Sequence, residues 1–196
     1  ADGMAFPTIA GSGINGTMLH YETNHDVCKE DTLILLDLGA RVKGYNADIT
    51  RTYPVSGKFT ERQKAFYNIV LKANQAVAAE ARPGVTLKEL NDLCKSVLAE
   101  GLIELGLIET EEEIGKYCMH GVSHHLGIDV HDVTVPEKAK LEPGMIITNE
   151  PGLYIDEEEI GIRVEDDLLI TEDGCVVLSE DIVRTVEDIE AKMKER

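Results

Sequence analysis

Three apolar runs in this chain are each interrupted by an acidic residue. Asp37 breaks LILLDLG, Glu150 ends the run in GMIITNEPG, and Glu165 falls inside GIRVEDDLLI. Taking a carboxylate out of water without a partner costs several kcal/mol, so an apolar strand seldom carries one alone. Any fold for this sequence must therefore gather these acids at one centre or give up the strands that carry them. A single acid of this kind is more often a solvated surface group; three in succession favour a shared site.

The runs lie on either side of a stretch with a different period. In the first 57 residues, DTLILLDLGARV and YNADITRTYPV read as two strands around a turn near Lys43-Gly44. From 60 to 106 the apolar residues recur at helical intervals. Thr60 and Gln63 have capping-box spacing, Arg82-Pro83-Gly84 stops the first helix, and Thr86 caps a second. Residues 117 to 187 return to strands in GMIITNEPGLYI, GIRVEDDLLI and CVVLSE, and EDIEAKMKER reads as a polar helical end. Without a linker or low-complexity segment, this order predicts one α+β domain over residues 1–196. Its helices pack on one face of an antiparallel sheet.

Asp37 and Asp48 sit eleven apart across the proposed turn. Pairing about Val42-Lys43 sets them opposite each other, and pairing about Lys43-Gly44 makes them diagonal neighbours. Either register puts both on one face, where two carboxylates repel unless a cation or a shared proton intervenes. Arg163, two residues before Glu165, is expected on the same strand face as that acid. The formal net charge of −18, from 37 acidic and 19 basic side chains, suits a cation site but repels nucleic acid and anionic membranes. No apolar run approaches the roughly 20 residues that span a bilayer. Cys28, Cys94, Cys118 and Cys175 lack C-x-x-C spacing and read as reduced packing residues of a cytoplasmic protein.

An imidazole ligand is available in HGVSHHLGIDVHD, residues 120 to 132, which holds four of the six histidines. His120 and His124 have the spacing of a helical zinc motif but lack its glutamate, and Gly121 and Gly127 argue for irregular backbone. If GIDVHDV is a strand, Asp129 and His131 share a face. Spacing leaves open which histidine binds metal. Oxygen-rich sites with one imidazole suit Mn²⁺, Fe²⁺, Co²⁺ or Zn²⁺.

In order along the chain, TMLHY, LLDLGARVKGYNADITRTYPVSGKFT, HGVSHHLGIDVHD, LEPGMIITNEPGLY and GIRVEDDLLIT resemble the signature blocks of the pita-bread metallopeptidases. The resemblance covers residues 5 to 185 and points to the branch of Xaa-Pro aminopeptidases and Xaa-Pro dipeptidases. It implies a curved antiparallel sheet with helices on its outer face, and a dinuclear site, usually manganese, that activates a water. Asp37, Asp48, His124, Glu150 and Glu165 match the five metal ligands. Glu150 also matches the general base, and His131 and His20 the groups that stabilise the scissile carbonyl. His120, Tyr154 and Arg163 match residues around the proline ring of the substrate, while His25 and His125 match no role. The implied substrate is a peptide with proline second, and the full-length protein is expected to be a homo-oligomer.

The chain departs from the pattern at its front. The first half starts directly at MAFPTIAGSG, without the counterpart of the helix pair at 60–106 or the usual amino-terminal domain, and reads as part of a longer protein. The short segment between Glu150 and Glu165 favours the aminopeptidase side. Two other readings are compatible with the sequence: a methionine aminopeptidase-like enzyme, whose signatures fit less well, and a non-catalytic binding module that keeps the fold.

Overall fold

The computed structural model describes residues 1–133 and 140–195. The strands are β1 (Gly3–Met4), β2 (Ile9–Ser12), β3 (Leu33–Leu38), β4 (Ala40–Val42), β5 (Tyr45–Asn46) and β6 (Ile49–Pro54), then, after two helices, β7 (Ile146–Asn149), β8 (Gly152–Ile155), β9 (Ile160–Arg163), β10 (Asp166–Ile170) and β11 (Cys175–Val177). The helices are α1 (Glu61–Glu80) and α2 (Leu87–Glu104), with α3 (Val186–Lys194) near the carboxyl end. Every pairing is antiparallel, in the orders β1-β4-β5, β2-β3-β6, β11-β10-β7 and β8-β9. No described helix is long and apolar enough to cross a membrane.

The helices form as their sequence dictates. Thr60 with Gln63 and Thr86 with Glu89 close reciprocal capping boxes, satisfying amides that a helix start leaves free. Leu90, Cys94, Leu98 and Leu102 recur at four-residue spacing and are buried, as are Phe66, Val70 and Val77 on α1. These faces meet each other and the backs of β7, β8 and β9 in the main core. The carboxyl-terminal helix is less polar than expected: Val186 and Ile189, one turn apart, are buried against that core, and Glu190 accepts the Phe59 amide. Among the cysteines, all unpaired, Cys94 and Cys118 are packing residues, whereas Cys28 is exposed.

Two hairpins position the acids. In the first, Val42 pairs with Tyr45 across Lys43-Gly44, whose φ values of 52° and 85° are those of a two-residue hairpin turn. This register sets Asp37 opposite Thr50 and makes Asp48 its diagonal neighbour. Between β3 and β4 the backbone approaches the opposite strand so closely that a Cβ on Gly39 would lie 1.8 Å from the Ala47 carbonyl oxygen. Backbone cannot yield to such a clash. Gly39→Ala should therefore destabilise the full-length protein by about 3 kcal/mol, the upper end for overpacking, read by denaturant unfolding.

The second hairpin overturns one expectation. GIRVEDDLLI is not one strand but two: β9 pairs with β8 from Gly152↔Arg163, and β10 pairs with β7 from Asp166↔Asn149. The register is continuous across the gap, so Glu150 faces Glu165 and Pro151 faces Val164 at a bend. Pro151 has no N–H to give a ladder, which is why pairing lapses there. Arg163 and Glu165 therefore lie on either side of the break between two strands, but with the register unbroken their side chains keep to one face: both line the same cavity and both meet the Thr50 hydroxyl. Nor does GIDVHDV form a strand. The chain runs beside β7 through the Leu126 N–H to Ile146 bond and the His125↔Ile147 bridge, then doubles back where the Asp132 amide donates to the His125 carbonyl. Asp129 is left exposed.

Candidate metal centre

The bends of both hairpins and the histidine segment enclose one cavity of about 290 Å³. Asp37, Asp48, His124, Glu150 and Glu165 all line it, with His20, His120, His131 and Arg163 around them. His124 Nε2 lies 3.5 Å from both Asp48 Oδ2 and Glu150 Oε1. Ligand atoms of Asp48, His124 and Glu165 all fall within 4.8 Å of one another, a group that could hold a metal ion. Asp37 accepts a 2.6 Å hydrogen bond from Arg163 through Oδ2, while its buried Oδ1 has no partner among the described residues.

Four carboxylates so close together, served by one guanidinium, are short of positive charge. Burial pushes Asp37 up to about 6, against the pull of Arg163. Burial likewise pushes Glu150 up to about 7, and raises Glu165 well above the usual carboxylate range, with the neighbouring acids adding to each. His124 moves the other way from a typical buried imidazole. Burial opposes its charging, but Asp48 and Glu150 hold its pKa above the ordinary value. An unpartnered buried oxygen, acids that resist ionisation together and an imidazole drawn toward them fit a divalent cation site with oxygen-rich ligation.

The other expected residues fall in two groups. His131 packs edge-on against the His124 ring, 4.5 Å between centroids, and His20 lines the cavity. His120 and Arg163 line it too, but Tyr154 stands behind them. Its hydroxyl donates to His120 Nε2 at 2.7 Å and accepts from Arg163 Nη1 at 2.9 Å. With His120 Nδ1 2.8 Å from the Gly121 carbonyl, that proton sits on Nδ1, and burial pushes the ring down to about 4, so it is neutral. His25 is exposed beside Asp26, and His125, away from the cavity, has a buried Nε2 with no partner among the described residues.

Sequence reasoning missed residues that hold these acids in place. Thr50 bonds Glu165, Asp167 accepts the Asp48 amide at 3.3 Å, and Arg51 pairs with Asp166 at 2.7 Å. The period-two spacing of Asp48, Thr50 and Thr52 in DITRT was the available signal for the threonines.

Comparison with known proteins agrees with this architecture. The profile described as "Metallopeptidase family M24" matches residues 1–172. The Xaa-Pro aminopeptidase of Escherichia coli (strain K12) is 42% identical, covering 96% of this chain and 47% of that protein. Xaa-Pro aminopeptidase 3 of Rattus norvegicus is 38% identical over 97% of this chain and 40% of its own length. Among solved structures, E. coli aminopeptidase P with the inhibitor Pro-Leu superposes with a TM-score of 0.94 at 41% identity, covering 98% of this chain and 48% of that one. The chain thus spans a little under half the length of these relatives. With the pita-bread arrangement of antiparallel sheets and helices shared at this level, and the profile matched over most of its length, the chain belongs to metallopeptidase family M24.

Proposed function

We propose that the full-length protein is a metal-dependent exopeptidase that hydrolyses the Xaa-Pro bond at the amino terminus of peptides, with residues 1–196 in its catalytic domain. The observation that carries this reading is the convergence of four buried carboxylates and one imidazole on a single cavity, in a chain whose relatives are Xaa-Pro aminopeptidases. Asp37, Asp48, His124, Glu150 and Glu165 would hold two divalent ions, with manganese first among the metals that such a donor set accepts. Bound cations supply Lewis-acid chemistry, lowering the pKa of water toward neutrality and polarising a carbonyl.

The chain's own groups do the rest. Glu150 takes the proton from the attacking water and returns it to the departing proline nitrogen. His131 and His20 face the cavity where charge develops on the carbonyl oxygen. His120 has both ring nitrogens engaged with protein, so it offers the proline ring an apolar edge rather than a proton. Arg163, committed to Asp37 and Tyr154, walls the same side. The unpaired cysteines fit a reducing cytoplasm. Homo-oligomerisation belongs to the same proposal, and the acidic charge disfavours nucleic acid and anionic membranes as partners.

The test uses full-length, manganese-loaded protein and three peptides: Xaa-Pro-Xaa, Xaa-Pro and Met-Ala-Xaa. Cleavage of the tripeptide with proline second is expected, with release of the first residue. Cleavage of Xaa-Pro alone would make the enzyme a dipeptidase. Preference for Met-Ala would reverse the assignment, and no turnover of any would leave a binding module.

A further inference from the structure

Two threonines on β6 grip the second hairpin where its ladder lapses. Thr50 and Thr52 are both fully buried and share the face that carries Asp48. Thr52 Oγ1 accepts the Arg163 amide at 3.1 Å and donates to the Arg163 carbonyl at 3.0 Å, so it replaces strand pairing at the end of β9. Thr50 does something else. Its Oγ1 accepts from Arg163 Nε at 3.0 Å and lies 2.5 Å from Glu165 Oε2. Its carbonyl receives the Glu165 amide at 3.0 Å.

A hydroxyl has one proton, and a guanidinium has no acceptor to receive it. With Arg163 donating to Thr50, the hydroxyl proton is committed to Glu165 Oε2. Arg163 is itself tied to Asp37, so one chain of bonds runs from Asp37 through Arg163 and Thr50 to Glu165. A single hydroxyl thereby sets one acid of each hairpin relative to the other.

We propose that Thr50 is a positioning residue: its hydroxyl fixes the side-chain orientation of Glu165 and occupies one lone pair of Oε2, leaving Oε1 and the remaining lone pair for divalent cations. This rests on the reading of Glu165 as a metal ligand. Valine has nearly the shape of threonine but no hydroxyl. In Thr50→Val, Arg163 Nε loses its acceptor and the Glu165 carboxylate is free to turn. Partners that orient a ligand in this way are worth about 10–100-fold in metal affinity.

The experiment titrates metal-free, full-length protein with Mn²⁺ against a chromogenic chelator. Wild type is compared with Thr50→Val, Thr50→Ser and, as a control that weakens the hairpin without touching Glu165, Thr52→Val. Expected is a loss of about 10–100-fold in manganese affinity for Thr50→Val, restored to within a few-fold by Thr50→Ser, which keeps the hydroxyl, and not seen in Thr52→Val. At saturating manganese, kcat for the peptide should fall further than KM rises. Wild-type affinity in Thr50→Val overturns the proposal, and so does an equal loss in Thr52→Val, which would mean a general structural role. If Thr50→Val does not fold, Thr50→Ala carries the same comparison; failure of both to fold counts against an orienting role. Absence of manganese binding by wild type would instead remove the ligand reading beneath it.

Discussion

Replacing Glu150 by glutamine is expected to lower turnover of an Xaa-Pro peptide on the order of 10²–10⁴-fold, the range for removing a positioned general base. An amide has the shape of a carboxyl group but cannot accept the proton that must leave the attacking water. The nearest candidate groups are already engaged. Asp37 is engaged by Arg163, Glu165 by Thr50, and His124 is drawn between Asp48 and Glu150. The variant also removes one ligand oxygen, so kcat must be measured at saturating manganese with metal content determined alongside. That separates a lost base, with metal retained and kcat collapsed, from a lost ligand. The same substitution should leave the metal-free protein equally or more stable, because it relieves the repulsion between residues 150 and 165 across the bend. Activity above about a tenth of wild type with metal bound would show that another group serves as the base.

The opposite sign of these two effects follows from how the site is built, and much of that was legible in the sequence. Acids that interrupt apolar runs need a reason, and the runs carrying Asp37, Glu150 and Glu165 do converge. The capping boxes at Thr60 and Thr86 were readable because their chemistry is local. The bend in GIRVEDDLLI was not, because the cause lies on the other strand, at Pro151, and register is set by pairing rather than by composition. The hairpin register at Lys43-Gly44 stayed open for the same reason until the pairing of Val42 with Tyr45 settled it. Tyr154 illustrates a further limit: sequence placed it at the site, but only packing shows that it stands behind His120 and fixes that ring's proton. Thr50 is not legible as a site residue, because a threonine in a strand ordinarily signals propensity, and its hydrogen bond to Glu165 spans 115 residues.

Stripping divalent cations should destabilise the full-length protein, and the loss should grow as pH rises from about 5.5 to 8. Without metal, Asp37 and Glu150 titrate near 6 and 7 in the fold, and Glu165 higher than its ordinary range, against 3.8 for aspartate and 4.5 for glutamate unperturbed. Between those limits the folded state binds more protons than the unfolded chain. Stability therefore falls as pH rises through the folded values. Asp166 has the opposite sign, since its ion pair with Arg51 outweighs burial and lowers its pKa, but that contribution is lost only in acid, below the window chosen. His120, pushed down to about 4 by burial, also has the opposite sign and offsets the lower part of the window, up to its ordinary value of 6.5, whereas Asp167, pushed up to about 7 by burial, reinforces the fall. Cations bind the ionised carboxylates, so they compete with these protons and their affinity rises over the same interval. At a manganese concentration about 1,000 times Kd, binding adds about 4 kcal/mol at neutral pH, and less at pH 5.5 where Kd is weaker. Melting of metal-free protein should thus occur at lower temperature at pH 8 than at pH 5.5, with manganese closing or reversing that gap. Uptake of manganese near pH 6 should release protons, measurable as buffer-dependent binding heat. A metal-free melting temperature that does not change across this range, with an equal manganese shift at both ends, would mean that the four acids are already balanced by the protein and need no cation.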